Sequence, residues 1–371
     1  MRLAAICLAF ASSAQAESIG LSHQQLQRLA EQNKVCLIVV ARLQHGQLSA
    51  VDSASACEQP SASPEAVFQA ASLGKPVFAY GVLKLAERLG KSGFDLDAPL
   101  SRYLPQGYLH QHNHARPEPG RADLLPAAAL EKITARMILQ HGTGLPNWSS
   151  EALVPEQPAG RWNYSGEGYL LLQAAIEAIS GQPLDVWARQ AVFEPLGMTH
   201  SDFRWNAERT QPGLVDGHGA SGKPLGIKPI QHPRAAFSLY TSAPDYARFL
   251  AAVLADKALL KTVLAAPLPV DPQLGLSWGL GWGIAERRAE AGAAPDQLIW
   301  HWGSNWGYRA FVAASAQTGD GLVMLSNSEN GLALAEPLTL PVLPGSQPLF
   351  RFYMLRSGAA HWLCKNLGWC G

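Results

Sequence analysis

Strand-forming runs stand at the two ends of this chain and helix-forming runs fill its middle, and that distribution leaves few architectures open. Near the start, Val35 to Leu43 is a β-rich apolar run, His45-Gly46-Gln47 reads as a turn, and Leu48 to Val51 returns as a paired strand. Segments 278–284, 298–303, 308–314 and 321–326 read as strands near the other end. Between and around them, 22–33, 72–89, 133–140, 167–180, 184–193 and 243–255 carry apolar residues at helical spacing. A sheet must cover its apolar faces, so the arrangement predicts an α/β (α+β) fold: one antiparallel sheet assembled from both chain ends, flanked by helices, with a mostly helical lobe inserted. The sheet lobe is expected from about 17–90 and 230–340, the helical lobe from about 91–229, and a C-terminal extension over 341–371. Residues 104–132, rich in Pro, His and Arg with weak periodicity, read as a long surface excursion.

Met1-Arg2, the apolar run Leu3 to Ala11 and the small-residue site ending at Ala16 have the pattern of a cleaved secretory signal over 1–16. Export to the periplasm or medium is the expectation. Lys plus Arg and Asp plus Glu both number 29, so no basic face for nucleic acid is implied. No later apolar run reaches the roughly 18 residues of a membrane helix. A small-molecule or peptide substrate is the partner such a chain would have. Cys7 leaves with the signal, and four cysteines remain for an oxidising compartment. Cys36 and Cys57 flank the paired strands and are expected to bridge them, with Cys364 and Cys370 closing a small C-terminal loop.

Ser72-Leu73-Gly74-Lys75 is a Ser-x-x-Lys at the start of a helix, a spacing that sets the amine one turn from the hydroxyl on the same face. A serine hydroxyl is a weak nucleophile, and a lysine neutralised by desolvation can take its proton. Tyr164-Ser165-Gly166 stands at the mouth of another helix, and a phenol beside an ammonium can lose its proton and act as a second base or as the leaving-group acid. His301-Trp302-Gly303-Ser304 lies on a strand, where a backbone N–H can complete an oxyanion hole.

With Gly93-Phe94-Asp95-Leu96-Asp97, His141-Gly142-Thr143-Gly144-Leu145-Pro146, Glu194-Pro195-Leu196-Gly197-Met198 and Gly279-Leu280-Gly281-Trp282, these motifs make residues 22–335 resemble the penicillin-recognising serine hydrolases. The branch is that of class C β-lactamases, D-alanyl-D-alanine carboxypeptidases, D-aminopeptidases and related esterases. The resemblance implies Ser72 as nucleophile, Lys75 and Tyr164 as the proton-transfer pair, His301 as a further catalytic side chain, and the N–H groups of Ser72 and Ser304 as oxyanion hole. No metal or organic cofactor is implied.

Two departures bear on substrate. Gly166 stands where many relatives carry an asparagine that grips the substrate amide, and His301-Trp302-Gly303 replaces a Lys-Thr-Gly. Both favour ester, amide or small peptide bonds over β-lactams, with Trp302 or Trp306 as a substrate wall beside Gly303. The alternatives are a β-lactamase or carboxypeptidase proper, and a non-catalytic binder of cell-wall fragments or of a protein partner. Lys91-Ser92-Gly93 reads as a helix stop rather than a catalytic motif, and His141 as a structural residue. His110, His112 and His114 alternate as metal ligands would, but without an acidic partner at ligand spacing they read as a solvated loop.

Overall fold

The computed structural model describes residues 20–57, 63–114, 121–226, 229–287 and 296–356. The expected leader over 1–16 and the expected Cys364–Cys370 bridge lie outside them. Strands β1 (Ile38–Gln44) and β2 (Gln47–Ala54) form the early hairpin, β3 (Val67–Ala71) leads into the nucleophile helix, and β4 (Tyr108–Gln111) and β5 (Ala122–Leu125) form a small hairpin. They are followed by β6 (Leu239–Ser242), β7 (Leu268–Asp271), β8 (Leu276–Trp278), β9 (Gly283–Arg287), β10 (Asp296–Asn305), β11 (Tyr308–Ser315) and β12 (Gly321–Ser326). The main sheet runs β2-β1-β12-β11-β10-β9-β8-β7, antiparallel throughout, so the early hairpin is sewn to the late strands by β1 against β12. β3 pairs with β6 in a separate two-stranded ribbon.

Both faces of this sheet are covered, which is why its strands read as unbroken apolar runs rather than as alternation. Along β1, Val39, Ala41 and Leu43 face one core and Ile38 and Val40 the other. The first core is closed by α2 (Gly74–Gly93), α4 (Gly166–Ser180) and α6 (Ala243–Ala255), the second by α1 (His23–Gln32) and the segment Leu332 to Leu355. The short α3 (Ala135–Leu139) and α5 (Leu184–Ala188) complete the helical side. α1 starts on a capping box, Ser22 with Gln25, as a short amphipathic helix needs. No helix among the described residues is long and apolar enough to cross a membrane. Cys36 and Cys57 are bridged across the open end of the β1–β2 hairpin, 21 residues apart. Closing a loop of that size stabilises a fold by about 3 kcal/mol.

Two sequence expectations are corrected. Segment 278–284 is not one strand but β8, a turn closed by Gly279 N–H to Trp282 O at 2.8 Å, and β9. Residues 104–132 are not only an excursion, because β4 and β5 pair within them and Tyr108 and His110 point into the protein. Strands of four residues with an aromatic and an imidazole facing inward carry no apolar alternation to detect.

Candidate active site

The ribbon strand β3 ends at Ala71, whose φ of 52° is a left-handed conformation costing a β-carbon residue about 1–2 kcal/mol. Ser72 follows, partly exposed, and α2 begins two residues later at Gly74. One turn on, Lys75 is fully buried. Its Nζ lies 3.0 Å from Ser72 Oγ and 2.7 Å from the carbonyl oxygen of Ala236. Ser72 Oγ is itself 3.3 Å from that carbonyl. No carboxylate pairs with the amine among the described residues, and burial alone lowers its pKa to about 7. A neutral amine has two N–H groups and one lone pair. Ala236 occupies one N–H, which holds the lone pair available toward Ser72.

Tyr164 is placed by the cap of α4. Ser165 Oγ accepts from Gly168 N–H at 2.9 Å and donates to Pro146 O at 2.7 Å, while its own N–H donates to His141 Nδ1 at 3.0 Å. The preceding residue, Tyr164, then sits with its ring centroid 4.8 Å from Lys75 Nζ and its hydroxyl buried. Burial raises the phenol pKa, with Ser72 pulling weakly the other way. Of the two roles expected for this tyrosine, second base or leaving-group acid, that shift favours the second. Lys75, lowered to about 7, carries less positive charge to favour a phenolate, and the raised phenol is suited to the acid role.

His301 is buried behind the cleft. Its Nδ1 lies 2.9 Å from the Trp302 nitrogen and 2.8 Å from the Trp302 carbonyl oxygen, and burial, then the charge of Lys75, lower its pKa to about 3. It is a neutral imidazole and cannot replace a cation. Strand β9 pairs with β10 only from Asp296 to Trp300, so residues 301–305 present a locally unpaired flank toward β3. Gly303 allows that approach: a β-carbon there would stand 2.2 Å from the Ala70 carbonyl oxygen. Ser304 and Ser72 both line one cleft of about 820 Å³ with Tyr164 and Trp302. Trp306 sits exposed on the β10–β11 turn and is not part of that cleft, leaving Trp302 as the wall. Trp302 packs on the Tyr164 ring at 4.9 Å.

Gly166 is covered by the Trp148 indole, which a β-carbon would meet at 2.5 Å. Asn147, also on the cleft, accepts the Gly166 N–H through Oδ1 at 3.0 Å, and its NH2 has no partner among the described residues. Sequence reasoning missed Asn147, and it missed Arg309, a cleft cation whose guanidinium donates to the carbonyls of Asn305 and Tyr308. Lys91-Ser92-Gly93 lies exposed at the far end of α2, away from the cleft. The histidine run is likewise corrected: His110 and His114 are buried, and an acidic partner, Glu167, comes from 53 residues further on.

Residues 26–340 match the family model described as Beta-lactamase, and the chain belongs to that family of β-lactamase-fold serine hydrolases. It is 25% identical over 379 residues to Esterase EstB of Burkholderia gladioli, covering 85% of this chain and 91% of that one. It is 24% identical over 307 residues to Penicillin-binding protein 4* of Bacillus subtilis, covering 71% of this chain and 61% of the relative. Its fold is that of D-alanine Carboxypeptidase AmpC from Burkholderia cenocepacia, with a TM-score of 0.67 at 20% identity over 86% of this chain and 96% of that structure.

Proposed function

We propose that the protein is an exported hydrolase that cleaves ester, amide or small peptide bonds through an acyl-enzyme on Ser72. The observation that carries this is Lys75: fully buried, without a carboxylate, held near neutrality and 3.0 Å from a partly exposed serine hydroxyl. Lys75 Nζ takes the Ser72 proton as Oγ bonds to the substrate carbonyl carbon, and the N–H groups of Ser72 and Ser304 receive the oxyanion. On collapse the carbonyl–leaving-group bond breaks and the leaving group is protonated from Tyr164, which recovers a proton from Lys75. Water then repeats the addition and releases the acid. His301 acts as a positioning residue for Trp302 and the β10 flank.

A fluorophosphonate should add once, on the peptide containing Ser72, and the adduct should disappear in Ser72→Ala; labelling that persists there would sink the assignment. Activated aryl esters should be hydrolysed faster than penicillins, since the cleft lacks both a lysine and a threonine beside Gly303. A second reading, an acyl donor bearing a carboxylate, is favoured by Arg309 on the cleft wall. Penicillin turnover matching that of esters would select it.

Asn147 takes the place of the missing asparagine, its free NH2 donating to the acyl amide or carbonyl of the substrate. Asn147→Asp preserves the acceptor for Gly166 N–H and removes the donor. A fall in kcat/KM of about ten-fold, carried by KM, is expected for loss of one such bond. Unchanged steady-state constants would remove Asn147 from the binding role.

A further inference from the structure

We propose that His110, His114 and Glu167 form a binding site for a divalent transition metal, with zinc the best match, on the wall of the substrate cleft. The proposal is independent of the acyl-transfer reading. Glu167 sits in the first turn of α4 with its carboxylate fully buried, and Ser149 N–H donates to Oε1 at 2.8 Å. His114 Nε2 lies 2.9 Å from both carboxylate oxygens. His110 Nε2 lies 3.2 Å from Oε2. These ligand atoms all fall within 4.8 Å of one another.

Two observations separate this cluster from an ordinary buried ion pair. The first is His110, which is completely buried yet makes no hydrogen bond of acceptable geometry through Nδ1 or Nε2 among the described residues. Burying a polar group without a partner is costly, and a ligand atom of His110 lies within 4.8 Å of ligand atoms of His114 and Glu167. The second is spacing. Ligands about 2.0–2.1 Å from a tetrahedral ion stand about 3.3 Å apart, close to the separations seen here. Two imidazoles and one carboxylate are a donor set suited to zinc.

The site joins the end of the β4–β5 hairpin to the first turn of α4, three residues past Tyr164. Three protein ligands leave a fourth position for water or for an anionic group of a molecule in the cleft, which His114 itself lines. His112 belongs to a second grouping, paired with Asp123 at 2.6 Å on the more exposed side of the hairpin.

Untagged protein stripped with chelator and titrated with zinc chloride at pH 7.5 should bind one ion per chain, measured by equilibrium dialysis and elemental mass spectrometry. Zinc should raise the Tm, since it binds the folded state. Cobalt in its place should give visible absorption of a four-coordinate N/O site. Glu167→Gln, which retains an acceptor for Ser149 N–H, and His114→Gln should each weaken zinc binding by about 100-fold or more and abolish the Tm rise. His112→Gln should change affinity by no more than a few-fold. Absence of stoichiometric zinc at low micromolar concentration would overturn the site. So would equal affinity in Glu167→Gln, or loss of binding in His112→Gln, which would move the ion to the other grouping.

Discussion

Lys75→Met should slow acylation of an activated ester by about 10²–10⁴-fold, the range for removing general acid–base help. Tyr164→Phe should fall in the same range for substrates whose leaving group must be protonated. The two losses should not multiply. The lysine amine and the phenol converge on the same Ser72 hydroxyl, the amine 4.8 Å from the tyrosine ring, so removing either interrupts one proton path. The double variant should be only slightly slower than the worse single one. Stability should behave differently. The Tyr164 hydroxyl is buried beside the Ser72 hydroxyl and makes no other hydrogen bond among the described residues, so its removal costs little, and methionine replaces a desolvated amine by an apolar chain of similar volume. Tm within a few degrees of the parent, alongside these rate losses, separates a chemical defect from a folding one. Fully multiplicative losses in acylation rate would show that Lys75 and Tyr164 act on separate steps.

What could be read in the sequence and what could not divide along the range of the interactions. The Ser72–Lys75 spacing is set within one helical turn, and the Ser165 cap that aims Tyr164 is set within four residues. Both are local, and both motifs are legible for that reason. The Ala236 carbonyl that holds the amine is 161 residues from Lys75, and nothing in its neighbourhood marks it. Glu167 is 53 residues from His114 and stands in a helix start where acidic residues are common for reasons of the helix dipole alone. Asn147 is hidden in the same way, since a loop asparagine has many local uses. The short ribbon of β3 and β6 escaped notice because five- and four-residue strands give too few alternations to count. Which of its two roles Tyr164 plays was not legible for a different reason. Its ionisation depends on whether Lys75 is charged, and that depends on burial, which spacing does not report.

The charge of Lys75 also fixes how the reaction should respond to pH. Burial lowers the amine to about 7, and the neutral amine is the base. Activity therefore belongs to pH above that value and is lost as the amine gains its proton. On the acid side kcat/KM, which reports the free enzyme, should approach a ten-fold fall for each pH unit well below 7, so that between pH 7 and pH 5 it drops by about 50-fold. Histidine is the usual source of such a limb, but the two histidines that feel the charge of Lys75 are shifted away from it. His301 is lowered to about 3, and His141 is also held well below its ordinary value, in each case by burial first and Lys75 second. His301 is neutral throughout this window, and the shift of His141 runs in the same direction. Tyr164 is raised, so its deprotonation adds no loss until the pH exceeds the ordinary range for a phenol. His301→Gln, whose side-chain carbonyl can still accept the Trp302 N–H, should therefore lower the rate through position while leaving the limb near 7. A limb that vanished or moved by a full unit in that variant would transfer the titration to His301 and remove Lys75 from the role of base.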